Sequence, residues 1–320
     1  MNPPETLYID KSLVDKAVSL WRAGQLVAMP TETVYGLGAD AENGEAVARI
    51  YAAKSRPQFN PLIVHVADVA TATRYVEWND IAEQLATTFW PGAMTLVLKR
   101  RPDCALSELV SAGGDTVGIR IPSHPFTHAL LRAFGGGIAA PSANRSGRVS
   151  PTTAAHVASE FGDALPLILD GGACQVGLES TVLDVSEGGI QILRPGSITR
   201  EMLAAALPQC TIHVGDEKET GALKSPGQLA SHYAPSIPVR LNASDVSTNE
   251  ALLAFGSDVQ NGAKTTLNLS PSGNLIEAAA NLFSYLRALD IPAHHSIAVM
   301  PIPNEGIGEA INDRLRRAAV

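Results

Sequence analysis

Charge is scarce in this chain of 320 residues: 18% of it is Asp, Glu, Lys or Arg, and 24 Lys and Arg face 32 Asp and Glu, a formal net charge of −8. A nonspecific nucleic-acid binder needs a basic face, so the balance argues against that class. It leaves open a local cationic pocket for an anionic small molecule, and makes the position of each cation informative. Cysteine is rarer still. Cys104, Cys174 and Cys210 stand far apart with no CxxC and no HExxH, which argues against a disulfide framework and structural zinc. No apolar run of roughly 18 residues occurs, so a membrane span is not expected. Glu5 and Asp10 replace the basic-then-apolar pattern of a secretion signal, and the expected location is cytoplasmic. Neither GxxxxGK[ST] nor GxGxxG is present, and Ser142 lacks a GxSxG elbow, so neither a P-loop, a dinucleotide fold nor a serine triad is legible.

What remains is an ordinary apolar content of 45% in 33.6 kDa, enough for two domains or one large one. Residues 12–23 carry apolar side chains at helical spacing, and helices are also predicted over 46–53, 80–90, 127–133 and 199–206. Strands are predicted over 27–30, 62–66, 94–100, 116–121, 138–140, 165–169, 180–185 and 189–194. This mixture lacks strict βαβ regularity and predicts an α/β domain around a twisted mixed sheet. Residues 215–238 then lose periodicity and gain Gly, Pro and Ser, as a linker does. Beyond it, strands at 239–241, 251–255, 264–268 and 296–300 alternate with helices at 275–287 and 308–318, a second, smaller α/β unit. With six Lys and Arg against eight Asp and Glu from residue 236 onward, it is no basic tail.

The most informative stretch is Pro30-Thr-Glu-Thr-Val-Tyr-Gly-Leu-Gly-Ala-Asp40, which comes directly after the apolar run Leu26–Met29. It reads as a loop leaving a buried strand and presenting polar groups to a ligand. Lys54-Ser-Arg56-Pro57 sets two cations two positions apart, suited to a triphosphate or to a solvated helix end. Asn60 comes next, and His65 lies in the next apolar strand, where a lone His is more often a satisfied core residue than a ligand. Thr116 and Arg120 share one face of a strand. Burying Arg120 requires an anion, either an internal carboxylate or that of a bound amino acid. Ala140-Pro-Ser142-Ala-Asn144 offers small residues and short hydrogen bonds for a nucleotide, and equally makes an ordinary turn. Glu179-Ser180-Thr181 and Arg194-Pro-Gly add hydroxyl and cationic candidates. Glu32, Asp40 and Asp170 are candidates to meet magnesium with phosphates, with no pair singled out.

Taken together, PTETVYGLG, KxRPxxNPL, VGIRxP, PSAN, EST, RPG and SPGxxxxHYAP occur in order from about residue 10 to 235. This highly specific set resembles the Sua5/YrdC/YwlC family, in its two-domain Sua5 form. The resemblance implies a YrdC-like catalytic domain over residues 1–205 and an interdomain lid over 206–238. A smaller, Rossmann-like α/β domain over 239–320 completes the expected organisation. Many family members read SPGMKYRHYAP in the lid. Here Gln228, Leu229, Ala230 and Ser231 intervene, so the cationic contribution of that Lys and Arg is lost while His232 and Tyr233 stay.

The activity implied is L-threonylcarbamoyladenylate synthesis from L-threonine, bicarbonate or CO2, and ATP with Mg2+. Separate proteins then transfer the group to tRNAs reading ANN codons, giving t6A, and tight tRNA binding by this chain is not expected. By the same resemblance, Thr33, His65, Arg120, Ala140 and Ser180 form the threonine shell. Lys54, Arg56, Asn60, Thr116, Ser142, Asn144, Ser150, Arg194 and Tyr233 form the ATP shell. Lys54 and Arg56 would stabilise charge growing on the phosphates, and no residue is assigned as a resident metal ligand. Competing readings are a carbamoyl-adenylate synthase of the hydrogenase-maturation type and a nucleotide- or RNA-binding module without catalysis. The first normally carries a cysteine cluster, absent here.

Overall fold

Asp10 caps the first helix by accepting the Ser12 amide at 2.8 Å, and the helix then buries Val14, Ala17, Val18 and Trp21 along one stripe. The computed structural model of the chain describes residues 10–215 and 232–320. The helices are α1 (Lys11–Arg22), α2 (Gly44–Lys54), α3 (Val69–Ala72), α4 (Asp80–Phe89), α5 (Pro125–Phe134), α6 (Ala154–Phe161), α7 (Arg200–Ala206), α8 (Leu275–Leu289) and α9 (Ile307–Ala318). The first sheet contains β1 (Val27–Met29), β2 (Gly36–Asp40), β3 (Ile63–His65), β4 (Met94–Lys99), β5 (Thr116–Arg120), β6 (Ile138–Ala139), β7 (Thr181–Asp184), β8 (Ile190–Arg194) and β9 (Ile212–Val214). The second contains β10 (Val239–Arg240), β11 (Ala251–Ala254), β12 (Thr265–Asn268) and β13 (Ile297–Val299).

The nine strands run in the order β1-β2-β6-β3-β5-β4-β7-β8-β9. β3–β5, β4–β7 and β8–β9 are parallel and the other neighbours antiparallel, so the sheet is mixed, as expected. Alternate residues of β1 enter different cores: Val27 and Met29 pack with α1 and α5, whereas Ala28 joins the larger cluster under α2 and α4. The sheet thus divides two apolar layers. The four-stranded sheet is entirely parallel, in the order β10-β13-β11-β12, with Leu282, Phe283, Ile311 and Leu315 of α8 and α9 in its core.

Three local expectations change. Residues 30–40 are not loop throughout, because Gly36–Asp40 folds back as β2 against β1. A Cβ on Gly38 would stand 3.0 Å from Ile138 and 3.2 Å from Trp21, so glycine permits this close packing, and the Trp21 indole donates to the Gly38 carbonyl at 3.1 Å. Residues 165–169 make only a single bridge, Ile168 to Ala28. α6 forms where no element is expected: it starts on the Thr153 side-chain cap and buries Val157 and Phe161, four positions apart on one face. Residues 225–231 of the SPGxxxxHYAP motif, and residues 216–231 of the expected lid, lie outside the described residues.

Candidate active site

Pro30 ends β1, and Thr31 organises the turn that leads on to β2. Its hydroxyl accepts the amides of Thr33 at 3.1 Å and Val34 at 3.2 Å and donates to the Val34 carbonyl at 2.6 Å. This turn presents Glu32 and Thr33 to Arg120, at the end of β5. Arg120 donates from Nη2 to Glu32 Oε1 at 2.6 Å, from Nη1 to Thr33 Oγ1 at 2.9 Å, and from Nε to the Gly92 carbonyl at 3.2 Å. Of the two anions open to Arg120, Glu32 supplies the internal one. β3 runs beside β5 with His65 paired to Arg120, so imidazole and guanidinium are neighbours. Burial, then the Arg120 charge, push the His65 pKa down to about 3, and its Nδ1 has no hydrogen-bond partner among the described residues.

The small-residue loop closes over these groups. Leu37 N donates to the Pro141 carbonyl at 2.8 Å and Ala143 N to the Tyr35 carbonyl at 2.8 Å, which holds residues 140–143 along the start of β2. From the opposite side, Arg194 at the end of β8 donates to Ser180, whose hydroxyl shares a 2.8 Å hydrogen bond with that of Thr95. One cavity of about 40 Å³ results. All five residues of the expected threonine shell line it: Thr33, His65, Arg120, Ala140 and Ser180. Arg56, Ser142, Arg194 and Tyr233 of the expected ATP shell line it too.

Arg56 comes just after the left-handed Ser55 that terminates α2, at φ 51°. It donates to the carbonyls of Asn60 at 3.1 Å and Pro61 at 2.9 Å, and burial pushes its pKa down to about 10. Tyr233 is also buried in a left-handed conformation, at φ 66°, stacked on Phe283 with centroids 5.5 Å apart. Its hydroxyl has no partner among the described residues.

The other five expected residues do not line the cavity. Lys54, 1% exposed, donates from Nζ to the carbonyls of Ser142, at 2.5 Å, and Asn144, fastening the small-residue loop to α2. Burial, with Arg56 nearby, holds its amine well below the usual lysine range. Asn144 donates to the carbonyls of Arg145 and Arg148, both at 2.8 Å. The Ser150 hydroxyl donates to Glu179 Oε1. Asn60 is fully buried, with neither side-chain polar atom bonded among the described residues. Thr116 begins β5, opposite Lys99 and four residues from Arg120, at the other end of the strand.

Three further residues shape the site. Glu32 reads in sequence only as a candidate magnesium neighbour, although an unexplained Arg120 is itself a request for a carboxylate. Glu179 lies in the EST motif, where the hydroxyl residues beside it carry the more obvious signal. Arg314, on α9, has no sequence signal at all. Its Nε donates to Glu179 Oε2 at 2.9 Å, and its guanidinium carbon lies 5.3 Å from the centre of the Tyr233 ring. Glu32, Asp40 and Asp170 do not converge, and the described residues contain no group of three His, Cys, Asp or Glu side chains able to hold a metal.

Comparison with known proteins agrees with this architecture. The family model described as Telomere recombination (Sua5, YciO, YrdC) matches residues 19–196. The model described as Threonylcarbamoyl-AMP synthase, C-terminal domain, matches residues 198–320. Threonylcarbamoyl-AMP synthase of Bacillus subtilis is 39% identical, over 96% of this chain and 92% of its own length. The Pyrococcus abyssi protein of the same name is 37% identical over 95% and 93%. The crystal structure of P. abyssi Sua5 complexed with L-threonine superposes with a TM-score of 0.89 at 35% identity, covering 97% of this chain and 95% of that one. The chain therefore belongs to the Sua5/YrdC/YwlC family and, within it, to the two-domain threonylcarbamoyl-AMP synthases.

Proposed function

We propose that the chain condenses L-threonine, bicarbonate or CO2, and ATP into threonylcarbamoyl-AMP and pyrophosphate. The observation that carries this reading is the convergence of Arg56, Arg120 and Arg194 on one cavity, in a chain poor in cations. Arg120, framed by Thr33, His65 and Ser180, takes the threonine carboxylate. His65 stays neutral and adds no positive charge that would repel the ammonium group. Arg56 and Arg194, with Ser142, take the phosphates, while Lys54 fixes the loop that presents Ser142. Low dielectric and fixed donors strengthen these contacts as charge moves onto the leaving phosphates.

No protein nucleophile enters. The threonine ammonium gives one proton to solvent, and the free amine attacks CO2, releasing a second proton to solvent as the carbamate forms. Its oxygen attacks the α-phosphate, and pyrophosphate leaves. The chain's contribution is orientation and exclusion of water from a labile carbamate and mixed anhydride. Magnesium comes in as part of the ATP substrate, carried by its phosphates.

A cavity of about 40 Å³ holds little more than water. Substrate entry therefore goes with displacement of His232 and Tyr233, the described end of the expected lid. The adenylate is handed to separate transfer proteins that build t6A on tRNA, and a cytoplasmic location accompanies this role. Among the described residues, no helix is long and apolar enough to cross a membrane.

The deciding experiment is pyrophosphate release from ATP, magnesium and bicarbonate with and without L-threonine, with mass spectrometry of the product. Threonine-dependent release and a threonylcarbamoyl-adenylate mass are expected. Folded protein that binds ATP but yields no adenylate with any amino acid would overturn the assignment.

A further inference from the structure

Arg314 belongs to the second, parallel-sheet unit, yet its guanidinium serves the first. It is 0% exposed. Nε donates to Glu179 Oε2 at 2.9 Å, and Nη2 donates to the Pro195 carbonyl at 3.0 Å. Its remaining nitrogen, Nη1, donates to Asp313 Oδ2 at 2.6 Å, while Arg317 Nε donates to Asp313 Oδ1 at 3.0 Å. A chain of alternating charge thus runs Arg317, Asp313, Arg314, Glu179 from α9 into the nine-stranded sheet.

Its point of arrival matters. Glu179 immediately precedes Ser180, and Pro195 immediately succeeds Arg194. Ser180 and Arg194 are the two cavity residues joined by Nε and Nη2 of Arg194 to the Ser180 carbonyl, at 3.1 and 3.0 Å. Arg314 therefore grips the backbone of β8 just past Arg194 and, through the Glu179 carboxylate, the entry to β7 just before Ser180. The other oxygen of Glu179 accepts the Ser150 hydroxyl. One guanidinium from the second unit fixes three residues of the proposed threonine and ATP shells without lining the cavity.

We propose that Arg314 is a positioning residue for the reaction, through which the C-terminal unit sets Ser180, Arg194 and Ser150 in register. The inference rests on the functional reading above. The planar guanidinium serves Glu179 and Pro195 along fixed directions, which a lysine amine cannot reproduce. Small misplacement of substrate-holding groups costs catalysis on the order of a hundredfold.

The test compares the full chain with Arg314→Met, Arg314→Lys and Leu253→Ala. Leu253, buried in β11, belongs to the core of the same unit and stands outside the hydrogen-bond network of Arg314, Glu179, Pro195 and Asp313. Each protein is assayed well below its Tm for ATP affinity by calorimetry and for threonine-dependent pyrophosphate release. Arg314→Met should weaken ATP binding about tenfold and lower kcat/KM on the order of a hundredfold. Arg314→Lys should fold with near-normal Tm and lose on the order of tenfold in kcat/KM. Leu253→Ala should lower Tm while leaving both readouts within twofold. Arg314 variants that stay folded with unchanged ATP affinity and kcat/KM would overturn the inference, as would losses that track Tm equally in all three. Wild-type protein that binds ATP without making adenylate would overturn the functional reading, and the ATP affinities would then judge Arg314 alone. Wild-type protein that binds no ATP would overturn both.

Discussion

Arg120 and Glu32 form a buried ion pair, Nη2 to Oε1 at 2.6 Å, with side chains only 5% and 8% exposed. The second carboxylate oxygen of Glu32 has no partner among the described residues, while Thr33 holds the other guanidinium nitrogen. The pair keeps Arg120 aimed and neutralised before a ligand arrives. Arg120→Ala should weaken threonine binding far more than ATP binding, read by titrating each ligand separately. Equal losses would remove Arg120 from the threonine shell. The same change strands Glu32 and should cost about 3–5 kcal/mol in urea unfolding. Adding Glu32→Gln should recover part of that stability but not threonine affinity.

Lys54 offers a different test, because its amine meets backbone rather than substrate. Lys54→Met has a similar reach and no donors, so it leaves the carbonyls of Ser142 and Asn144 without this partner. We expect a loss of about 3 kcal/mol in unfolding free energy, together with weakened ATP binding as the loop carrying Ser142 relaxes. A stable variant with full ATP affinity would show that Lys54 does not anchor the loop.

Removing the buried hydroxyl of Tyr233 should leave stability nearly unchanged, since it has no partner among the described residues to lose. If that hydroxyl meets the nucleotide, Tyr233→Phe should weaken ATP binding about fivefold, equivalent to about 1 kcal/mol. Identical calorimetric affinities for the two proteins would exclude this contact.

Acid should destabilise the fold before its carboxylates titrate. Burial depresses the pKa of both His65 and His232 from 6.5 to about 3. The unfolded chain binds protons below about pH 6.5 that these buried imidazoles refuse, so their contribution is full above that pH. It is lost as pH falls from 6.5 towards 3. The slope is at most about 1.4 kcal/mol per pH unit for each. Unfolding free energies from urea titrations at pH 7 and 5.5 should differ by roughly 2 kcal/mol from this pair, and His232→Asn should flatten the difference. A midpoint that does not move would mean that both rings accept protons in the fold.

Much of the cavity is legible in sequence because its residues sit where strands end in turn-forming motifs. Arg120 in an apolar strand demands an anion, and Thr33, His65, Ala140 and Ser180 arrive beside it on neighbouring strand ends. What sequence cannot supply is direction. Nothing in Lys54-Ser-Arg56 says that the lysine turns back onto carbonyls while the arginine lines the cavity. That division depends on the left-handed Ser55 between them. β2 is unreadable for a related reason: its two glycines look like loop until Trp21 is packed against Gly38. Arg314 lies 135 positions from Glu179, beyond any local pattern.

The two sheets also share an apolar seam. Val34, Val149 and Leu178 from the first unit join Tyr233 and the α8 residues Leu282 and Phe283 in one cluster. Gly177 lies so close to α8 that a Cβ there would stand 2.5 Å from the Ala279 carbonyl oxygen. The seam therefore makes the halves one cooperative unit in melting. Heating should release them in a single transition rather than two, and a chain cut down to its first sheet would expose apolar surface and take the Arg314 partner from the Glu179 carboxylate. The second unit thus serves as the cover of an apolar face that the first would otherwise show to water.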